Sequence, residues 1–218
     1  VIVEVLLADE EILFDVVEVL LVDEEIPLDV VVEVLLVDEE TLPDEIGNMT
    51  MLYELRLQDN SLTGTIPDSI GKLTRLRVLN FGHNELRATI PDALGMCTSL
   101  VLLELQHNQL VGPIPASSSG LAQLTLLDLS ANLLERTIPS SIEGMESMQT
   151  LLLNDNRIEV LPDEAFGEFV ESVLASNSRL NAVPTALADA SHIRVLDVAH
   201  NALDRLPPLP PTLASLKV

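Results

Sequence analysis

Four histidines, one cysteine, a file of threonines and three Asp-Glu-Glu triplets are the residues in this sequence best placed to do chemistry. His83, His107 and His200 each stand immediately before an asparagine, and Asp59 and Asp155 hold the same place in other stretches. If those stretches stack, His83 and His107 lie side by side next to Asp59 at a spacing of ~4.8 Å. That arrangement suits a metal or a pH-responsive patch. An exposed pair of turn residues is the competing reading. His192 is isolated. Cys97 stands alone, so it forms no intrachain disulfide and no cysteine-rich zinc site. Thr65, Thr89 and Thr137 make a column that Pro113 interrupts, and regular threonine ranks can match ice. No GxGxxG, P-loop, GxSxG, HExxH or CxxC occurs. No set of groups converges on a reaction, so the expectation is a chain that is not an enzyme, with no catalytic residue, no metal and no cofactor.

Charge narrows the partners. The sequence of 218 residues carries 11 Lys and Arg against 35 Asp and Glu, a net charge of −24. Such a chain repels phosphate backbones and anionic membrane surfaces, so nucleic acid is excluded as a partner. The longest uncharged run, from Leu105 to Leu127, is broken by Gly112, Pro113, Pro115 and Gly120, so no membrane insertion is expected there. Residues 1–45 hold 16 acids and no Lys or Arg, and all 11 bases fall in 46–218. A domain boundary is therefore placed at residue 45.

The elements that position these residues follow from a repeat. Leu occurs 43 times, while Phe, Tyr and Trp together occur five times. A core of this kind needs many equivalent small slots. Stretches 52–75, 76–99, 100–123 and 124–147 are each 24 residues long and share LxxLxLxxNxLxxxIP. Further copies start at Met148, Val170 and Ile193, with Ser178 in place of the asparagine in the second of them, and a truncated copy starts at Leu213. The LxLxx portion has the two-residue period of a strand, which sends Leu55 and Leu57 to one face. Asn60, Asn84, Asn108 and Asn132 suit a tight turn and can bond neighbouring copies. Pro67, Pro91, Pro115 and Pro139 start the return. One copy cannot bury its own core, so stacked copies must share one.

These motifs resemble the leucine-rich repeat family, and LxGxIP with a 24-residue period is similar to its plant-type subclass. The resemblance covers residues 31–218 and departs from the plant type after Asn156, where LPPLPPTL is similar to the short bacterial type. It implies an α/β repeat fold: a leucine-rich-repeat solenoid with a parallel concave sheet and short 3₁₀ or irregular convex segments. Residues 46–218 form about seven repeats plus a truncated one.

Residues 1–45 repeat on a shorter period. VEVLL begins at Val3, Val17 and Val32, each time followed by an acidic triplet at Asp9, Asp23 or Asp38. Valine richness and Pro27 favour strands, with a helix of paired heptads as the alternative. Stacking would align Glu4, Glu18 and Glu33, and such a ladder calls for a cation, a basic partner or full solvation.

The outward strand positions define the candidate site. One file runs Glu4, Glu18, Glu33, Glu54, Val78, Leu102, Leu126, Thr150, Ser172, Val195, and its neighbour continues through Arg56, Asn80, Glu104, Asp128, Leu152, Leu174 and Asp197. Val78, Leu102, Leu126, Leu152 and Leu174 form an apolar stripe beside Glu104 and Asp128. Apolar residues on a solvated sheet face are not required by the fold and mark a contact surface. The expected function is recognition of a protein or peptide, of basic character, on the concave face. The alternative is a structural subunit of an assembly or fibre that self-associates through uncapped solenoid ends. The sequon Asn48-Met49-Thr50 leans towards a secreted, extracellular location.

Overall fold

The computed structural model describes residues 2–7, 30–36 and 41–218. In chain order its strands are β1 (Ile2–Leu7), β2 (Val30–Leu36), β3 (Leu52–Arg56), β4 (Val78–Asn80), β5 (Leu102–Glu104), β6 (Val111–Gly112), β7 (Leu126–Asp128), β8 (Leu133–Thr137), β9 (Thr150–Leu152), β10 (Arg157–Val160), β11 (Ser172–Leu174), β12 (Val195–Asp197) and β13 (Ser215–Lys217). Among the described residues, ten of them form one sheet in the order β1-β2-β3-β4-β5-β7-β9-β11-β12-β13, parallel throughout. Each coil from β3 onwards adds one strand to this sheet, as the repeat length demands.

The inward positions are those the two-residue period assigns. Leu55, Leu79, Leu103, Leu127, Leu151, Val173 and Leu196 are all buried and belong to one continuous core. Each such burial contributes about 1.5–3 kcal/mol against an exposed side chain. On the opposite side the chain returns through short 3₁₀ turns, each begun by an extended proline such as Pro67 (φ −72°, ψ 148°) or Pro91 (φ −70°, ψ 140°). The turns Asp68–Lys72 and Asp92–Met96 bring Ile70 and Leu94 inward. They stack so tightly that a Cβ on Gly95 would lie 2.1 Å from the Ser117 carbonyl oxygen.

The asparagines form a ladder. Asn84 Oδ1 accepts the Leu62 N–H at 3.0 Å, and its Nδ2 donates to the Leu57 carbonyl at 2.8 Å. Asn108, Asn132 and Asn156 repeat both bonds one coil further on each time. Every rung thus satisfies buried backbone groups of the preceding coil. At the substituted position, Ser178 Oγ is buried and has no hydrogen-bond partner.

Two features differ from expectation. A second, three-stranded sheet in the order β10-β8-β6 follows the asparagine turns. The pairing of the acidic segment also differs. β1 pairs directly with β2, Glu4 opposite Glu33. β2 meets β3 with Val31 opposite Glu54 and Glu33 opposite Arg56, and the register shifts at Val30. The expected alignment of Glu33 with Glu54 is therefore off by two residues. A slip of two keeps the alternation of positions along the strand. Glu18, the triplets at Asp9, Asp23 and Asp38, and most of the segment 1–45 lie outside the described residues.

Candidate functional site

From β3 onwards the concave surface is built from two registered files. Glu54, Val78, Leu102, Leu126, Thr150, Ser172 and Val195 are successive partners in one. Arg56, Asn80, Glu104, Asp128, Leu152, Leu174 and Asp197 are successive partners in the other. The apolar stripe is therefore a diagonal. It follows Val78, Leu102 and Leu126 in the first file and changes to Leu152 and Leu174 in the second, where Thr150 and Ser172 take over the first. Leu102, Leu126, Leu152 and Leu174 are half-buried, whereas Val78 is only 7% exposed and offers little to a ligand.

The polar groups of this face are graded along its length. Arg56 pairs with Glu54 at 3.0 Å. Asn80 Nδ2 donates to Glu104 Oε2 at 3.0 Å. Burial first, and then the neighbouring Asp128 carboxylate, raise the Glu104 carboxyl above its usual value, while Arg56 partly offsets them. Asp128 accepts the Ser130 N–H at 2.9 Å and its hydroxyl at 2.6 Å. Asp197 accepts Lys217 Nζ at 3.0 Å. A third file, one step further along each strand, was not singled out from the sequence. Gln58 and Gln106 belong to it, and the buried Oε1 atom of each has no hydrogen-bond partner. The same two-residue period points to them.

The other candidates resolve individually. The rings of His83 and His107 stack with centroids 4.2 Å apart and planes 16° from parallel. Both residues are left-handed, with φ +56° and +53°, as is Asp59 at +58°. Among the described residues no group of three or more His, Cys, Asp or Glu is arranged to hold a metal. Cys97 is buried, its Sγ donates to the Ile70 carbonyl at 3.2 Å, and burial pushes its thiol up to about 12. It is no nucleophile at neutral pH. Asn48 is exposed at the end of the 3₁₀ turn Asp44–Asn48, next to the buried Met49. Among the described residues no helix is long and apolar enough to cross a membrane.

Repeat length, a parallel sheet that gains one strand per coil, and an asparagine ladder agree with the comparisons with known proteins. A leucine-rich-repeat family model matches residues 50–110, and a second matches residues 123–145. The chain is a leucine-rich-repeat solenoid resembling the plant type. Among solved structures, the solenoid is similar to a plant ice-binding protein, at 26% identity and a TM-score of 0.72, over 82% of this chain and 60% of the other. It is similar to a Leptospira interrogans leucine-rich-repeat protein at 30% identity and 0.71, over 82% and 44%. It is also similar to the plant peptide hormone receptor RGFR1 in complex with RGF2, at 27% identity and 0.63, over 80% and 32%. The solenoid thus spans between a third and three fifths of the length of these chains. No curated protein matched the sequence.

Proposed function

We propose that the solenoid recognises a peptide or protein segment of basic character on its concave face, without catalysis. The contact set is the diagonal Leu102, Leu126, Leu152 and Leu174, with Val78 at its covered end and Glu104 and Asp128 beside it. The observation that carries this reading is the diagonal itself. The core is already complete with Leu103, Leu127, Leu151 and Val173, and four further leucine side chains stay half-buried on the outer side of the same strands. Covering them returns about 25 cal/mol per Å² of apolar surface. A cation on the ligand would meet Glu104 and Asp128, beside the half-buried leucines. Likeness to a plant peptide hormone receptor supports this class of ligand.

The test is selection from a random peptide library displayed on phage, with the wild-type chain as bait. Selected peptides should carry Lys or Arg next to apolar residues and should lose binding to the double variant Leu102→Asp, Leu126→Asp. The double variant should keep its sheet signature in circular dichroism. Peptides that bind wild type and folded double variant equally would end the concave reading.

A further inference from the structure

The convex side carries a defect that opens the core. In successive coils the residue three before the next repeat start accepts its backbone N–H: Leu73 from Leu76, Cys97 from Leu100, Leu121 from Leu124, Met145 from Met148. All four acceptor residues send buried side chains inward. In the next coil the same bond runs from Val170 N–H to the carbonyl of Gly167, at 3.1 Å. Gly167 therefore holds the main-chain place of Met145 without its side chain, and the inward side chain at the end of this turn is that of the preceding Phe166. Neither conformation nor crowding requires a glycine there: φ is −56°, and a Cβ would meet the Glu164 oxygen at 3.6 Å and Val170 Cγ2 at 3.9 Å, ordinary contacts.

The result is a cleft of about 510 Å³ between the 3₁₀ turns Ser140–Gly144 and Asp163–Phe166. Its apolar lining includes Ile142, Met145, Met148, Leu151 and Val170, with the half-exposed Phe169 at its edge. Five carboxylates line it, Glu143, Glu146, Asp163, Glu164 and Glu168, and no Lys, Arg or His does. We propose that this convex cleft binds a basic peptide segment that inserts an apolar side chain where Gly167 leaves room. Charge selects the occupant. The apolar VEVLL segments of this chain are flanked only by acids, and a second copy brings another −24, so both are repelled. A foreign segment with Lys or Arg around an apolar anchor matches floor and rim together. This site is separate from the concave diagonal and does not depend on it.

The probe is the fluorescein-labelled, amidated peptide Lys-Lys-Leu-Phe-Lys-Lys, with Lys-Lys-Ser-Ser-Lys-Lys and Glu-Glu-Leu-Phe-Glu-Glu as comparators, read by fluorescence anisotropy on the full chain. The first should bind at least about tenfold more tightly than either comparator. Gly167→Leu should fill the cleft and weaken it by about tenfold, both in the wild-type chain and in the Leu102→Asp, Leu126→Asp background that removes the concave contacts. Equal binding of the serine peptide, or unchanged binding to Gly167→Leu, would overturn the proposal and leave only diffuse attraction to an acidic surface. Should Gly167→Leu misfold, Glu146→Lys with Glu168→Lys decides instead: loss of binding upholds the cleft, and retained binding overturns it.

Discussion

Between Leu52 and Ser147 every complete coil carries the same devices, whereas between Met148 and Val218 one or another is missing. The earlier coils have a five-residue 3₁₀ turn and a buried side chain at its end, and from Asn84 to Asn132 an asparagine rung to the preceding coil. The later ones have Ser178 without a partner, a four-residue turn at Asp163–Phe166 whose buried last residue is Phe166, and Gly167 at the main-chain place of Met145. Yet β9, β11, β12 and β13 pair in unbroken register across the later coils. The sheet therefore depends on its inward Leu and Val residues. The asparagine, the close-packed glycine and the end-of-turn side chain govern how tightly the convex side closes.

The largest effect that could break this comparison is at the ladder. Asn132→Ala strands the Leu110 N–H and removes one of the two amides that donate to the Leu105 carbonyl, leaving that of Asn108. It should cost about 3 kcal/mol in urea denaturation, while Ser178→Ala should cost almost nothing. Equal losses would show that rungs do not distinguish the two regions. Next comes crowding on the convex side. Gly95→Ala forces a Cβ to within 2.1 Å of the Ser117 oxygen and should cost about 2 kcal/mol. Gly167→Ala should be neutral or stabilising, and a matching penalty at both sites would contradict the open cleft.

A smaller gain should come from repairing the later region. Ser178→Asn supplies the missing amide and should stabilise by about 1 kcal/mol, visible as a raised Tm; a lowered Tm would mean that the shorter coil cannot seat a rung. The smallest effect is electrostatic and belongs to the earlier region. Glu104 has its folded-state pKa raised, so the folded chain holds this proton longer than the unfolded one. Its contribution to stability therefore falls as pH rises through the interval between the unfolded and folded values. Glu104→Gln should raise Tm at neutral pH, and the gain should vanish below a pH of about 4. A gain independent of pH would place its origin elsewhere.

The four identical periods made the inward file and both outward files legible, because Leu55, Leu79, Leu103 and Leu127 recur at one spacing with nothing to shift them. The second sheet was not legible. It is held by main-chain bonds such as Val111 N–H to the Ala88 carbonyl at 2.9 Å and Leu133 N–H to the Leu110 carbonyl at 2.8 Å. The residues around them (Arg87-Ala88, Val111-Gly112, Glu135-Arg136) share no polarity that an alternating pattern could reveal. The register of β2 on β3 was misjudged for a different reason. VVVEVLL is apolar at alternate positions in either of two registers two residues apart, so hydrophobic pattern alone does not choose between them. The place of Gly167 stayed hidden because one residue fewer separates Pro162 from Val170 than Pro139 from Met148. Only the Val170 hydrogen bond shows that Gly167, and not Glu168, matches Met145.

The ladder also has a direction in time. Asn84 bonds Leu57 and Leu62, Asn108 bonds Phe81 and Leu86, and so on, always backwards along the chain. A coil emerging from the ribosome thus carries a buried-to-be N–H, such as that of Leu62 or Leu86, that waits for the next asparagine, synthesised 22 residues later. Each coil is provisional until its successor arrives, and the successor inherits the same debt. Growth of the solenoid is sealed from behind, and peeling from its C-terminal side reopens one coil for every one removed.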